Sequence, residues 1–190
     1  MIFGFLLLFI TVCTIPSTGL LEEMQGKVAS MGMAKISVNV QDADASVLTD
    51  GVGYHLQSET LEVWSDGKTQ WVYSPSEGEI TVSDAVAGSD DIWQNPAVLL
   101  TSEIQKSYDV VSEKGSYILL KAGKNRKVSY PQIGISLGKN LLPEKIDLKS
   151  ISGETYVIRI VSVSPFSANP LESFRPSEAL LRESFVNDMR

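Results

Sequence analysis

Residues 63–75 read VWSDGKTQWVYSP, two short aromatic-rich runs on either side of an Asp-Gly pair. An Asp-Gly pair between alternating apolar residues is a strong hairpin signal, because the turn needs the positive φ that glycine accepts freely. The stretch therefore predicts two paired antiparallel strands at the centre of a sheet. We expect their large apolar side chains to share one face: Leu61, Val63, Trp71 and Tyr73.

The same period of two extends along most of the chain on both sides of this hairpin. Apolar residues alternate with polar ones around residues 36–40, 52–57 and 80–82, and the pattern resumes after a break at residues 89–107. Further strands are predicted over residues 108–113, 116–122, 127–137, 143–151 and 154–165, with a last one from Phe185. The sequence thus predicts about ten short strands in meander order.

Two segments carry helical signals instead. In residues 20–33 the apolar side chains recur at intervals of three and four, with Thr18 as a candidate cap and Gly32 as the expected end. Asn95 followed by Pro96 is a second helix start, because proline is favoured at the first helical position. Helices this short leave part of a large apolar sheet face uncovered.

The first 19 residues carry no charged side chain, and the first charged residue is Glu22. The apolar run from Ile2 to Val12 is too short for a bilayer, which needs roughly 20 residues. We interpret residues 1–19 as a signal peptide and residues 20–190 as a single exported domain. The alternative, that Cys13 becomes an acylated first residue, conflicts with Val12, where a small residue is usual.

Composition excludes several classes of function. The net charge of −7 disfavours a nucleic-acid partner, because phosphate binding needs a basic face. Cys13 is the only cysteine and His55 the only histidine, so the sequence offers no zinc spacing and no thiol nucleophile in the exported part. We therefore expect no cofactor, no metal and no catalytic residue, and interpret the chain as a binding protein.

Residues 66–73 read DGKTQWVY and, together with the Asn95-Pro96 start and the leucines at 99 and 100, resemble the LolA family of periplasmic lipoprotein carriers. The ending from Phe185 to Arg190 is similar to the Bacteroidetes-type members. The resemblance implies a mainly β (α+β) fold, an incomplete antiparallel β-barrel whose short helices form a lid over a concave apolar face.

The resemblance also implies a function. A monomeric periplasmic chaperone would bind the acyl chains of lipoproteins and carry them from an inner-membrane lipoprotein-releasing ABC transporter to an outer-membrane acceptor. Where family members use an arginine to hold the lid, this sequence has Gln57. The alternation and the resemblance together predict a lipid-binding wall that comprises Tyr54, Leu56, Leu61, Val63, Trp71, Tyr73, Trp93, Leu99, Leu100, Ile135, Ile146 and Ile158.

Three alternatives stay open at this point. The apolar stripes would also form in an ordinary packed core with no ligand. The same half-barrel could instead serve as a lipid-binding or envelope-sensing module. An esterase built on His55 is a third reading, although the residue is expected on the face opposite Tyr54 and Leu56.

Overall fold

The computed structural model describes residues 19–85, 96–124 and 126–190. The predicted signal peptide with Cys13 and Thr18, and the predicted site residue Trp93 with Asn95 beside it, lie outside the described residues. Inside them, no helix is both long enough and apolar enough to cross a bilayer.

Within the described residues, twelve strands form one open sheet in the order β12-β6-β5-β4-β3-β2-β1-β11-β10-β9-β8-β7. All neighbours pair antiparallel except β12, which runs parallel to β6. The prediction of a mainly β, incomplete barrel is confirmed. The strands are β1 (Ala34–Val40), β2 (Ala43–Thr49), β3 (Tyr54–Ser58), β4 (Glu62–Ser65), β5 (Thr69–Ser74), β6 (Glu79–Asp84), β7 (Tyr108–Lys114), β8 (Tyr117–Ala122), β9 (Gln132–Leu137), β10 (Pro143–Lys149), β11 (Thr155–Pro165) and β12 (Phe185–Asp188).

Short turns explain why consecutive strands are neighbours. Gln41 and Asp42 both have positive φ, 49° and 68°, and join β1 to β2 as a two-residue hairpin turn. Gly67 at φ 84° plays the same part between β4 and β5. The central hairpin predicted from the Asp-Gly pair is therefore confirmed.

One face of the sheet, here called the inner face, carries the main hydrophobic core. Along each strand its side chains alternate with side chains that point to the opposite face, as the pleat requires. Many of them are almost completely buried, including Ile118, Leu120, Ile133, Ile135 and Leu148.

The inner face is covered by a group of helices that we call the lid, which comprises α1 (Leu20–Ala29) and the 3₁₀ helices Pro96–Leu100 and Ser102–Lys106. Helix α1 buries Leu21, Met24 and Val28 on one stripe, as the spacing predicts. It ends at Ala29, three residues before Gly32, and the helix expected from Pro96 is two short 3₁₀ helices.

The opposite, outer face is covered near β3–β6 by residues 166–190, which we call the strap. It contains α2 (Pro170–Ser173), α3 (Glu178–Glu183) and β12. Phe174 is 3% exposed, and its ring lies against Gly53 on the outer face. The lid and the strap therefore cover opposite sides of the same sheet.

Candidate functional site: an apolar cavity under the lid

A small apolar cavity lies between the inner face and the lid. Its volume is about 70 Å³, and strands β1, β2, β3, β10 and β11 provide its walls. The lid supplies Leu99 and Leu100, which are 3% and 5% exposed. The described residues that line it are all aliphatic: Ile36, Val38, Val40, Ala45, Val47, Leu56, Leu99, Leu100, Ile146, Ile158 and Ile160.

The composition and size of this cavity limit what it can hold. A site without polar groups offers no hydrogen bonds to water, so an apolar occupant is favoured. About 70 Å³ is less than half the volume of an engineered apolar cavity of about 150 Å³ that binds benzene, and a fatty acyl chain is several times larger than benzene. The cavity as it stands therefore accommodates only a small part of such a chain.

The structure brings together part of the predicted wall. Leu56, Leu99, Leu100, Ile146 and Ile158 line the cavity. A second group belongs to the same inner-face core without reaching the cavity, with Leu61 packed at its margin: Tyr54, Leu61, Val63 and Ile135.

Trp71 and Tyr73 lie on the outer face, so the expectation that they share a face with Val63 is wrong. The register pairs Val63 with Val72 and Trp64 with Trp71. Directly paired residues point to the same side of a sheet, and Trp64 points away from the lid. Because side chains alternate with a period of two, a one-residue difference in register moves a whole strand's side chains to the other face.

Gln57 is also on the outer face, where it pairs with Ser46 and Glu62 in the register and is exposed. It cannot hold a lid that lies on the opposite side, so the expectation of lid control at this position is wrong. The reason is again the alternation: Leu56, next to it, points inward.

The polar contacts that hold the lid come from other residues. The amide of Gln25 in α1 donates to the carbonyl of Thr101, at 2.7 Å, and so joins α1 to the two 3₁₀ helices. Glu113 of β7 accepts the Leu21 N–H at 2.9 Å and thereby caps the start of α1. At the other end of the helix, Lys27 donates to the carbonyl of Asn140.

The sequence interpretation missed six cavity residues that the structure adds to the site. They are aliphatic and belong to β1, β2 and β11, which flank the cavity: Ile36, Val38, Val40, Ala45, Val47 and Ile160. The same alternation marks them in the sequence. What it does not show is that β1 lies beside β11, a pairing across more than 100 residues.

Replacing Gln25 by alanine should loosen the lid without disturbing the sheet. The variant loses a hydrogen bond and leaves a carbonyl in the lid without its donor, which costs about 1 to 2 kcal/mol. Amide hydrogen exchange should therefore quicken about tenfold in α1 and residues 98–106 and stay unchanged in β8–β10. Glu23→Ala, an exposed change in the same helix, is the control; equal exchange in both variants would contradict a tether at Gln25.

The DGKT sequence at residues 66–69 has a structural role on the outer face. The Asp66 carboxylate accepts the backbone N–H groups of Lys68 and Thr69 and pairs with Arg175 of the strap at 2.6 Å. Partial burial raises the pKa of Asp66, but these donors outweigh it and hold the pKa below its usual value. The motif thus fixes the hairpin turn and anchors the strap.

Next to this anchor lies a larger cleft of about 1080 Å³ on the outer face. Two of its aromatic rings, those of Trp64 and Trp71, already contact other side chains of the protein. Arg175 lies over the Trp71 ring, 5.7 Å from its centre, and His55 stacks on Trp64 at 4.9 Å. His55 also contacts the Glu62 carboxylate at 2.7 Å. The expected position of His55 on the face opposite Tyr54 and Leu56 is confirmed.

Tyr54 at the start of β3 should make stability fall at high pH. Burial raises the pKa of Tyr54 to about 12, against the opposite effect of a hydrogen bond from Gln70. The folded state favours the neutral phenol. The contribution of Tyr54 to the free energy of unfolding is therefore complete below the unfolded pKa of about 10 and is lost as the pH rises through about 12. The loss in the free energy of unfolding totals about 2 to 3 kcal/mol.

Urea unfolding at pH 9 and pH 11 measures this dependence. Wild type should lose more stability than Tyr54→Phe over this interval, because phenylalanine does not titrate. Identical losses in the two proteins would show that Tyr54 does not titrate with a raised pKa.

Comparisons with known proteins agree with the fold and go no further. A structure of an uncharacterised conserved protein from Thermus thermophilus is similar over 88% of this chain and 98% of its own, with a TM-score of 0.57 and 11% identity. At this identity the likeness shows the fold alone. The fold and the cavity together define a half-barrel protein with an apolar cavity under a lid.

Two further solved structures are less similar, with TM-scores below 0.5. A LolA superfamily protein from Nitrosomonas europaea has 12% identity, a TM-score of 0.46, and coverage of 82% of this chain and 96% of its own. A putative outer membrane lipoprotein-sorting protein domain from Vibrio parahaemolyticus has 12% identity, a TM-score of 0.43, and coverage of 80% and 93%. No family model matches the chain, and no curated protein matches it.

Proposed function

We propose that this protein is a periplasmic carrier that shields the acyl chains of lipoproteins during their passage from the inner to the outer membrane. One observation carries the proposal: a cavity with an aliphatic lining among the described residues lies between an apolar inner face and a lid that polar contacts of Gln25, Lys27 and Glu113 hold in place. Such a site suits hydrocarbon and lacks groups for chemistry on a substrate.

The physical need for a carrier is large. Each methylene of an acyl chain that is exposed to water costs about 0.8 kcal/mol, so a lipoprotein anchor does not cross an aqueous compartment unaided. A carrier replaces water with aliphatic side chains along the whole anchor. Lid opening enlarges the cavity from its closed volume and exposes the inner face to the chains.

The carrier has to release its lipoprotein cargo as well as bind it. A carrier passes on its cargo only if the acceptor holds the acyl chains more tightly, because transfer runs towards lower free energy. The closed lid opposes binding, since cargo must displace Leu99 and Leu100 from their packed positions. This internal competition lowers affinity and favours hand-off.

The partners follow from this proposal. Cargo would come from an inner-membrane lipoprotein-releasing ABC transporter and pass to an outer-membrane acceptor, with residues 1–19 as the export signal and residues 20–190 as a single, monomeric carrier domain. The DGKT hairpin supports placement in the LolA family, and the Phe185–Arg190 ending resembles that of its Bacteroidetes-type members.

The decisive experiment compares two isoleucine variants. Ile160 lines the cavity, whereas Ile151 lies in the β10–β11 turn and is 77% exposed. The wild type, Ile160→Glu and Ile151→Glu are purified from the periplasm of the native host, and the bound material is extracted and identified by mass spectrometry. Acylated lipoproteins should accompany the wild type and Ile151→Glu and be depleted at least about tenfold from Ile160→Glu, because a carboxylate at this partly buried position would lose its hydration where an acyl chain packs against it.

Other results point elsewhere. Free lipids in place of lipoproteins would favour a lipid-binding or sensing module. A wild-type protein that emerges empty and does not take up an acylated peptide would show that the aliphatic surface is only a folding core.

A further inference from the structure

Strand β2 and the lid both change from apolar to polar residues along the chain, and in both the change occurs beside the apolar cavity. Along the inner positions of β2, Ala45 and Val47 line the cavity, while the next inner residue, Thr49, lines a second cleft. In the lid, Leu99 and Leu100 are followed by Thr101 and Ser102, which line that cleft. Leu100 contributes to both spaces and separates them.

The second cleft, here called the polar cleft, is larger than the cavity, about 360 Å³ against about 70 Å³. It lies between α1 and the loop that connects β2 to β3. The space beside two of its glycines is open, since a Cβ at Gly26 or Gly32 would meet nothing within 4 Å. An amphiphile would therefore find a hydrocarbon site and a roomier polar site on the two sides of one leucine.

The polar cleft has a distinct charge. Among the described residues that line it, Asp50 is the only one with a charged side chain. One of its carboxylate oxygens accepts the N–H groups of Val52 and Gly53 at 2.9 and 2.8 Å, which fixes the side chain in the loop. In the described parts of the chain Asp50 forms no ion pair, and residues 1–18, 86–95 and 125 include no lysine, arginine or histidine.

We propose that the polar cleft receives the polar end of the acylated ligand and selects against a phosphate. This inference rests on the proposed function of the apolar cavity. When the end of the acyl chain that is attached to the polar head lies under Leu100, the head lies next to Asp50. A negatively charged phosphate in the head is repelled there. An uncharged glyceryl-thioether head that continues into peptide is not repelled, so the cleft favours lipoproteins over the anionic phospholipids of the same membrane.

The test uses two probes with the same oleoyl chains. One is dioleoyl phosphatidylglycerol; the other is an N-acetylated, C-amidated lipopeptide with a dioleoylglyceryl cysteine followed by Ser-Gly-Asn. Each competes with an uncharged pyrene-labelled fatty-acid methyl ester bound to the full-length exported protein. Asp50→Asn removes the charge but keeps the oxygen that accepts the two loop N–H groups.

The control is Asp42→Asn, which changes the net charge equally at the far end of β2, roughly 25 Å away along the strand. Asp50→Asn should improve phosphatidylglycerol binding about fivefold and leave the lipopeptide within about twofold, whereas Asp42→Asn should change neither. The same phosphatidylglycerol to lipopeptide ratio in wild type and Asp50→Asn would overturn the inference and leave the carrier function standing. If neither probe displaces the pyrene ester from the wild type, the proposed function fails, and the inference fails with it.

A second measurement locates the head directly. A nitroxide attached to the asparagine of the lipopeptide should broaden the amide signals of Gly51 and Ser102 and leave those of Asp42 and Ala43 sharp. Broadening at the Asp42 end instead would place the head at the other mouth and overturn the inference.

Discussion

Replacing Leu100 by glutamate should weaken binding of an acylated peptide by about 100-fold or more. Leu100 is 5% exposed and lies at the boundary between the apolar cavity and the polar cleft. A carboxylate there either loses its hydration or leaves its position and takes the lid with it. In both cases the aliphatic roof over the acyl chain is lost.

The measurement is direct titration with a fluorescent diacyl lipopeptide, together with hydrogen exchange of the lid. Leu100→Met is the matched control, because a swap that conserves volume and polarity costs less than about 1.5 kcal/mol. We expect Leu100→Met to bind within about threefold of the wild type. Near-normal binding by Leu100→Glu would show that the acyl chains lie elsewhere.

Replacing Phe174 by alanine should lower the free energy of unfolding by about 3 to 5 kcal/mol. The ring is 3% exposed and lies against Gly53 on the outer face, so the change leaves a cavity between the strap and the sheet. Phe185→Ala, also in the strap but 69% exposed, should cost within about 0.5 kcal/mol. Urea unfolding of the two variants makes the comparison, and equal losses would contradict anchoring of the strap by Phe174.

Gly53 provides an independent check on this contact. A Cβ added there would lie 2.4 Å from Cδ2 of Phe174, too close for any real contact, so Gly53→Ala should destabilise the wild type. In the Phe174→Ala background the obstacle is gone, and the same change should cost much less. A double-mutant cycle therefore should show a coupling of about 1 to 3 kcal/mol.

The Leu100→Glu and Phe174→Ala variants test two different parts of the molecule: the lid, which the proposed function requires, and the strap, which stabilises the fold. Leu100 belongs to the lid on the inner face, and Phe174 belongs to the strap on the outer face. Breaking the Gln25 contact to Thr101 would separate α1 from the 3₁₀ helices of the lid and would leave the Asp66–Arg175 pair intact. The contacts of the lid and those of the strap therefore involve different residues on opposite faces of the sheet.

The sequence by itself determined most of the elements and the class of fold. Period-two alternation identified the strands other than β2, the Asp66-Gly67 pair identified the central hairpin, and the spacing of Leu21, Met24 and Val28 identified α1. These signals are local, because they depend on the pleat, on the φ preference of glycine and on the helical repeat. Five of the residues proposed for the lipid-binding wall line the apolar cavity.

Only the tertiary structure decided which side of each strand faces the lid. Alternation fixes the relative directions of neighbouring side chains within a strand. The pairing of Val63 with Val72 is instead set by the turn between them, and this register places Trp71 and Tyr73 on the outer face. The tether from Gln25 to Thr101 and the cap from Glu113 on Leu21 join residues 76 and 92 positions apart. Contacts over such separations depend on how the sheet curves around the lid, which no local pattern in the sequence specifies.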